Sequence, residues 1–326
     1  MAVQRLIQVD EQGPLHTTRT LLDQMWREAR LDGMFIPAWS EKQFPPTATY
    51  LETKNDLRKA DPFAPVMISN AAPQGVELLA RYPHKHIGIV LRPCELRSFK
   101  ILVKRQALDL TQTLIISSDC LAVFPAEDFD WRLGRADDFD RLSRDALQFA
   151  AQGGILPSRY QRGCQLCEQP YPEDVDVHIE VLGLETNRHL LIGFRDETIS
   201  RQLGFNDDAT EEVPDEILKR RARVLEKLAN WRGRSLAYAQ SHLDESQASI
   251  EGLAQHLRSC TSCLQRLEAK CPLFDPEWLG TRSLRKLKTD VEWIINCGGC
   301  GMCAYQCPQG YPLFTVLAHL NHSISQ

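Results

Sequence analysis

Seven cysteines crowd into 48 residues near the C-terminus, and four of them obey one spacing. The stretch "NCGGCGMCAYQCPQG" sets Cys297, Cys300, Cys303 and Cys307 in a C-x2-C-x2-C-x3-C-P run. That spacing lets one loop wrap three corners of an iron–sulfur cube while the fourth thiolate, turned away by Pro308, reaches a second cluster. The glycines Gly298, Gly299 and Gly301 leave room for backbone N–H groups to approach the sulfides. A zinc knuckle would need only paired C-x2-C elements, so the full run argues for iron and sulfide. A segment built this way depends on metal where other segments depend on an apolar core.

The second half of such a module is "CTSCLQRLEAKCP", with Cys260 and Cys263 correctly separated and Cys271 before a proline. A third cysteine is missing, and Arg266 stands where it would fall. If the halves fold as a two-cluster ferredoxin, Cys271 completes the cube of Cys297, Cys300 and Cys303, and Cys307 joins Cys260 and Cys263. That second site has three thiolates, which suits a three-iron cluster or a cubane with another ligand. His256, Glu268 and Asp275 are the candidates; Arg266 is excluded because its guanidinium stays protonated.

The rest of the chain is ordinary globular material. Its 326 residues and 43% hydrophobic content suffice for two or three domains. Lys+Arg 38 against Asp+Glu 43 leaves a net charge of -5 and no basic surplus for nucleic acid. No signal-peptide core and no membrane-length apolar run appears, so a cytoplasmic location and no membrane span are expected. Eleven cysteines in such a chain point to metal, not to disulfides.

Residues 61–200 read as an α/β domain. "PVMIS" (65–69), "HIGIVL" (86–91) and "TLIISS" (113–118) look like buried strands, and "PQGVELLARY" and "CELRSFKILVKRQAL" are long enough for crossover helices. The β-α-β-α-β order predicts a parallel sheet. "DVHIEVLGL" (176–184) and "RHLLIGFR" (188–195) alternate around "ETN" and predict an antiparallel hairpin. Residues 1–60 read as a flanking segment with one amphipathic helix over 17–31. Residues 201–256 read as a charged, solvated helical linker, and 257–326 as a small helical ferredoxin-like domain.

Four cysteines remain: Cys94, Cys120, Cys164 and Cys167. Cys94 and Cys120 each follow a predicted strand, so a parallel sheet brings both to its carboxyl edge, where open α/β sheets bind ligands. Cys94 also opens a helix, whose free N–H groups favour a thiolate. With the "GCQLC" pair they make four thiolates and a third candidate cluster. Along the same edge, Asn70, Arg92, Arg97, Ser118 and Asp119 are positioned to meet a pyrophosphate, ribose or isoalloxazine ring. No G-x-G-x-x-G fingerprint accompanies them.

"IVLRPCELRSFKILVKRQ", "LIISSDC" and "GCQLCEQPYPEDVDVHIEVLGL" resemble the flavin and iron–sulfur beta subunits of deazaflavin-reducing hydrogenases and formate dehydrogenases. That family extends to flavin-dependent chlorophyllide and bilin-type reductases. The resemblance covers roughly residues 60 to 195 and rests on the R-P-C-E-x-R run and the C-x2-C before an acidic, strand-forming stretch. It implies FAD beside a [4Fe–4S] cluster held by Cys94, Cys120, Cys164 and Cys167, the flavin exchanging a hydride for single electrons. Members of the family often carry the ferredoxin module before the flavin domain, whereas here it follows.

Two functions follow from these readings. In one, an oxidoreductase subunit passes hydride electrons from FAD along two or three clusters to a hydrogenase, formate dehydrogenase or heterodisulfide-reductase-like partner. In the other, a flavin-free adaptor carries electrons between subunits of a complex. A zinc-stabilised structural subunit is a third, weaker reading.

Overall fold

The computed structural model describes residues 3–40, 45–136, 138–154, 159–206, 213–280, 283–304 and 310–325. Among them, β1 (Val3–Gln8), β2 (Gly33–Ala38), β3 (Thr47–Leu51), β4 (Ile87–Leu91), β5 (Thr113–Ser118), β6 (Val177–Glu180) and β7 (His189–Phe194) form one seven-stranded sheet in the order β1-β7-β6-β5-β4-β2-β3. The central strands β2, β4, β5 and β6 run parallel, while β3, β7 and β1 pair antiparallel at the flanks.

Strands β4 and β5 are continuous apolar runs because both sheet faces are covered. On one face, Leu22, Met25 and Trp26 of α1 (Pro14–Glu28) share a core with Ile36, Val90 and Ile116. On the other, α2 (Ala72–Arg81) and α3 (Pro93–Arg105) bring Val76 and Phe99 onto Phe35, Ile89 and Ile115. Neighbouring strand positions alternate between the two cores, as the pleat requires. The crossover helices fall where the sequence pattern puts them, and the expected hairpin forms, although β6 ends at Glu180 and an eight-residue connection, not a three-residue turn, leads to β7.

Three segments differ from that pattern. Residues 65–69 form no strand, although Val66 and Met67 are buried. Their carbonyls are claimed from elsewhere: the Arg92 guanidinium donates to Ala64 O and Val66 O at 2.8 Å, and Phe124 N donates to Pro65 O. Residues 1–60 are more than flanking material, since they supply three strands of the sheet. The third is α8 (Asp215–Gln240), which is no solvated linker: Arg221 and Arg232 are buried against the sheet's carboxyl edge.

Shorter helices α4 (Ala126–Leu133), α5 (Arg141–Gln148), α6 (Arg162–Gln165) and α7 (Glu197–Gln202) pack around the sheet. Beyond α8, helices α9 (Ile250–Ser259), α10 (Thr261–Lys270), α11 (Glu277–Gly280), α12 (Leu284–Thr289), α13 (Glu292–Ile295) and α14 (Leu313–Ser325) surround a second core. Leu253, Leu257, Trp278, Trp293, Val316 and Leu317 fill it together with Cys260, Cys263 and Cys303. Among the described residues, no helix is long and apolar enough to cross a membrane.

Candidate metal centres

Parallel pairing of β4 with β5 aligns Leu91 with Ser117, so Cys94 at the start of α3 and Cys120 just beyond β5 reach the same edge. Cys164 lies on α6, and Cys167 follows it after one turn. Burial pushes the Cys94, Cys120 and Cys164 thiols up. Neighbouring thiols add to this: Cys120 acts on Cys94 and Cys164, and Cys167 acts on Cys120 and Cys164. Two backbone N–H groups point the other way, from Ala122 toward Cys120 and from Val123 toward Cys164. Ala122 adopts φ 70°, a costly conformation for a residue with a Cβ, in the turn that aims its N–H at the sulfur.

A second group lies in the C-terminal module. Burial raises Cys271, Cys297 and Cys300 to about 11 and Cys303 also well up. Cys303 is pushed further by Cys271, Cys297 and Cys300, which identifies the four as one neighbourhood. Backbone N–H groups of Leu273, Phe274, Gly299 and Met302 face these sulfurs.

The two groups adjoin. A Cβ on Gly163 of α6 would stand 2.8 Å from Gly301 Cα, so the loop of Cys300 and the helix of Cys164 meet backbone to backbone. A Cβ on Gly298 would stand 2.7 Å from Cys94 O. Arg97 Nε donates to Gly298 O at 3.0 Å, and the Asn70 amide reaches both Ser98 Oγ at 3.2 Å and the Cys300 thiol. Met67, Val123 and Met302 pack between Cys94, Cys164 and Cys300. Eight soft donors, Cys303 buried and the other seven partly buried, with backbone N–H groups aimed at several of them, fit clusters held by thiolate.

Two buried arginines of the charged helix reach this edge. Arg221 makes a two-pronged pair with Asp119, at 2.6 Å and 3.1 Å, and reaches Glu180 at 2.5 Å. Burial alone would raise the Asp119 carboxyl, but Arg221 and His178 hold it well below the usual carboxylate range. Arg232 donates to Cys167 O at 3.1 Å, and its charge favours the thiolate forms of Cys120 and Cys164. The composition of α8 hides these contacts, because nothing local distinguishes Arg221 and Arg232 from the solvated arginines beside them.

The five residues expected at a flavin sit along the carboxyl edge in different surroundings. Asp119 is taken up by Arg221, His178 and the N–H groups of Val181 and Leu182, and Ser118 is buried. Asn70 is committed to Ser98 and the Cys300 loop. Arg92 lines a cavity of about 270 Å3, while Arg97 lines another of about 400 Å3 together with Cys167 and Cys297. A cavity of about 570 Å3 lies at the opposite, amino edge beside Thr113 and His86, away from the cysteines.

A third, smaller group comprises His256, Cys260 and Cys263, whose ligand atoms lie within 4.8 Å of one another. Glu268 and Asp275 are exposed and outside it. Cys307 lies outside the described residues.

No known family's sequence profile matches the chain, and no curated protein matches by sequence. A solved structure does match by fold: a chain of the F420-reducing [NiFe] hydrogenase complex from Methanosarcina barkeri, at TM-score 0.53 and 12% identity, over 73% of this chain and 92% of that one. The likeness at that identity is one of fold, shared with a chain of a multi-subunit redox enzyme.

Proposed function

We propose that this protein is an electron-transfer subunit of an oxidoreductase complex. In this reading Cys94, Cys120, Cys164 and Cys167 hold one [4Fe–4S] cluster, and Cys271, Cys297, Cys300 and Cys303 hold another. The observation that carries it is the junction of the two thiol groups, where Gly163 meets Gly301 backbone to backbone and Gly298 lies against Cys94 O and the Ser98 side chain. The clusters would supply one-electron storage and transfer. The chain supplies the rest: burial excludes water, backbone N–H groups stabilise the thiolates, and Arg97 and Asn70 fasten one cysteine loop to the other centre.

Two adjoining centres imply a donor at one end and an acceptor at the other. The fold shared with a chain of a hydrogenase complex supports partner redox subunits at those ends. A second reading adds FAD as the site where a hydride's electron pair is divided. The resemblance to flavin-containing beta subunits and the F420-reducing complex of the fold neighbour favour it. The commitments of Asp119 and Asn70 to protein partners favour the flavin-free adaptor.

The test is iron, acid-labile sulfide and flavin per chain after oxygen-free purification. The expected result is about eight irons, about four per cubane, with about four lost in C94S. One FAD per chain would select the flavoenzyme and none the adaptor. Fewer than about four irons would overturn the proposal.

A further inference from the structure

Sequence spacing assigns Cys260 and Cys263 to a cluster, but the geometry points to a different centre: His256, Cys260 and Cys263 are ligands of one mononuclear, thiophilic divalent cation, of which Zn2+ is the model. His256 occupies the last turn of α9, Cys260 joins α9 to α10, and Cys263 sits in the first turn of α10. Cys260 leaves the helical conformation (φ -111°, ψ 90°), so α9 ends and α10 begins there, and this turn brings the three residues together. Cys260 N donates to His256 O at 2.8 Å, and Cys263 N to Cys260 O at 3.1 Å, so the backbone itself fixes their relative placement.

The imidazole–thiol separation, at hydrogen-bond distance, lies within about 0.3 Å of what a single ion requires. Metal–nitrogen bonds of about 2.0–2.1 Å and metal–sulfur bonds of about 2.3 Å at a tetrahedral angle give an N···S edge of about 3.6 Å. His256 Nε2 lies 3.3 Å from Cys263 Sγ. Around a cubane each thiolate sits on its own iron at a different corner, so the sulfurs stand farther apart. The molecule contains its own comparison: among the described residues, neither group of four cysteines brings three ligand atoms within 4.8 Å, and the His256 group does.

The imidazole is also held for the task. Tyr311 stacks on it with centroids 3.5 Å apart and planes 7° from parallel, so the ring presents its Nε2 edge to the sulfur. One nitrogen and two thiolates form a donor set that selects zinc-class ions, and binding would release the two thiol protons. Such an ion carries no electrons. It would clamp α9 to α10 and hold the module's shape beside the redox centres.

The test uses the full-length chain, expressed with iron and zinc available and purified without oxygen. Zinc is measured by mass spectrometry and its first shell by X-ray absorption at the zinc edge. About one zinc per chain with nitrogen and sulfur neighbours is expected. H256A and C263S should each weaken zinc binding by more than the roughly 10–100-fold cost of losing an outer hydrogen bond, with iron unchanged. H256C should restore it. Zinc well below one per chain or lost to a mild chelator wash, or iron and sulfide falling in H256A, would overturn the assignment. Because zinc and iron are counted separately, failure of the two-cluster reading would leave this outcome legible.

Discussion

Replacing Arg221 by Met removes the guanidinium that pairs with two buried carboxylates. Asp119 is 1% exposed and Glu180 4%, and Arg221 contacts both while donating to Leu182 O at 2.8 Å. Breaking a buried pair from one side costs about 3–5 kcal/mol, because the surviving charge is stranded. His178 and the N–H groups of Val181 and Leu182 still serve Asp119, and Gln4 still donates to Glu180 at 2.8 Å. The expected loss is therefore near the lower limit, about 3 kcal/mol. Urea unfolding at pH 7, followed by tryptophan fluorescence, measures it. The pH dependence gives a second readout. With its folded pKa held below 3.8, Asp119 contributes stability that is present above about pH 4 and lost as pH falls below it. R221M should flatten that acid limb, and D119N/R221M should recover part of the loss at pH 7. A cost under about 1 kcal/mol, or a double variant no more stable than R221M, would refute the reasoning.

Other expectations rest on different contacts. Burial pushes Asp61 up to about 6 despite hydrogen bonds from Ser143 and Trp39, so its stabilising share is full below about pH 4 and lost as pH rises through 6. D61N should lack that decline, worth about 3 kcal/mol; parallel slopes for both proteins between pH 4 and 7 would count against it. G163A would force a methyl into Gly301 and cost about 1–3 kcal/mol. It should also hasten iron release to a chelator, and unaltered release would separate the contact from cluster retention. R232M removes a positive charge beside Cys120 and Cys164, so the potential of the cluster proposed there should shift downward in an EPR-monitored redox titration. An upward shift would contradict the assignment.

Strands β4 and β5 were legible because a sheet covered on both faces leaves unbroken apolar runs, and the β6–β7 hairpin because alternating runs flank its connection, which is longer than the three residues the pattern suggests. Strands β1 to β3 were not: Pro37 interrupts β2, β3 is only five residues long, and β1 mixes Gln and Arg with its apolar positions. "PVMIS" misled for the converse reason, since burial without a ladder partner looks identical in sequence. The meeting of Cys94 with Cys120 followed from parallel topology alone. Asp119's partner did not, because Arg221 lies 102 residues away in a helix of many similar charges. The tight set at His256 left one trace, an H-x3-C-x2-C spacing, which gains meaning only once the turn at Cys260 is seen to fold the start of α10 back beside the end of α9.

The Gly163–Gly301 joint also bears on biosynthesis. Residues 94–167 leave the ribosome well before residues 297–303, so the first thiol group is translated without the wall that later closes over it. Backbone meeting backbone has no side chain that can yield, and the late loop can dock only onto a correctly formed early half. A cluster seated on Cys94, Cys120, Cys164 and Cys167 would thus remain open to delivery, and to oxygen, until the later segment arrives. The order of synthesis would set the order of maturation, with the second centre serving as the lid of the first.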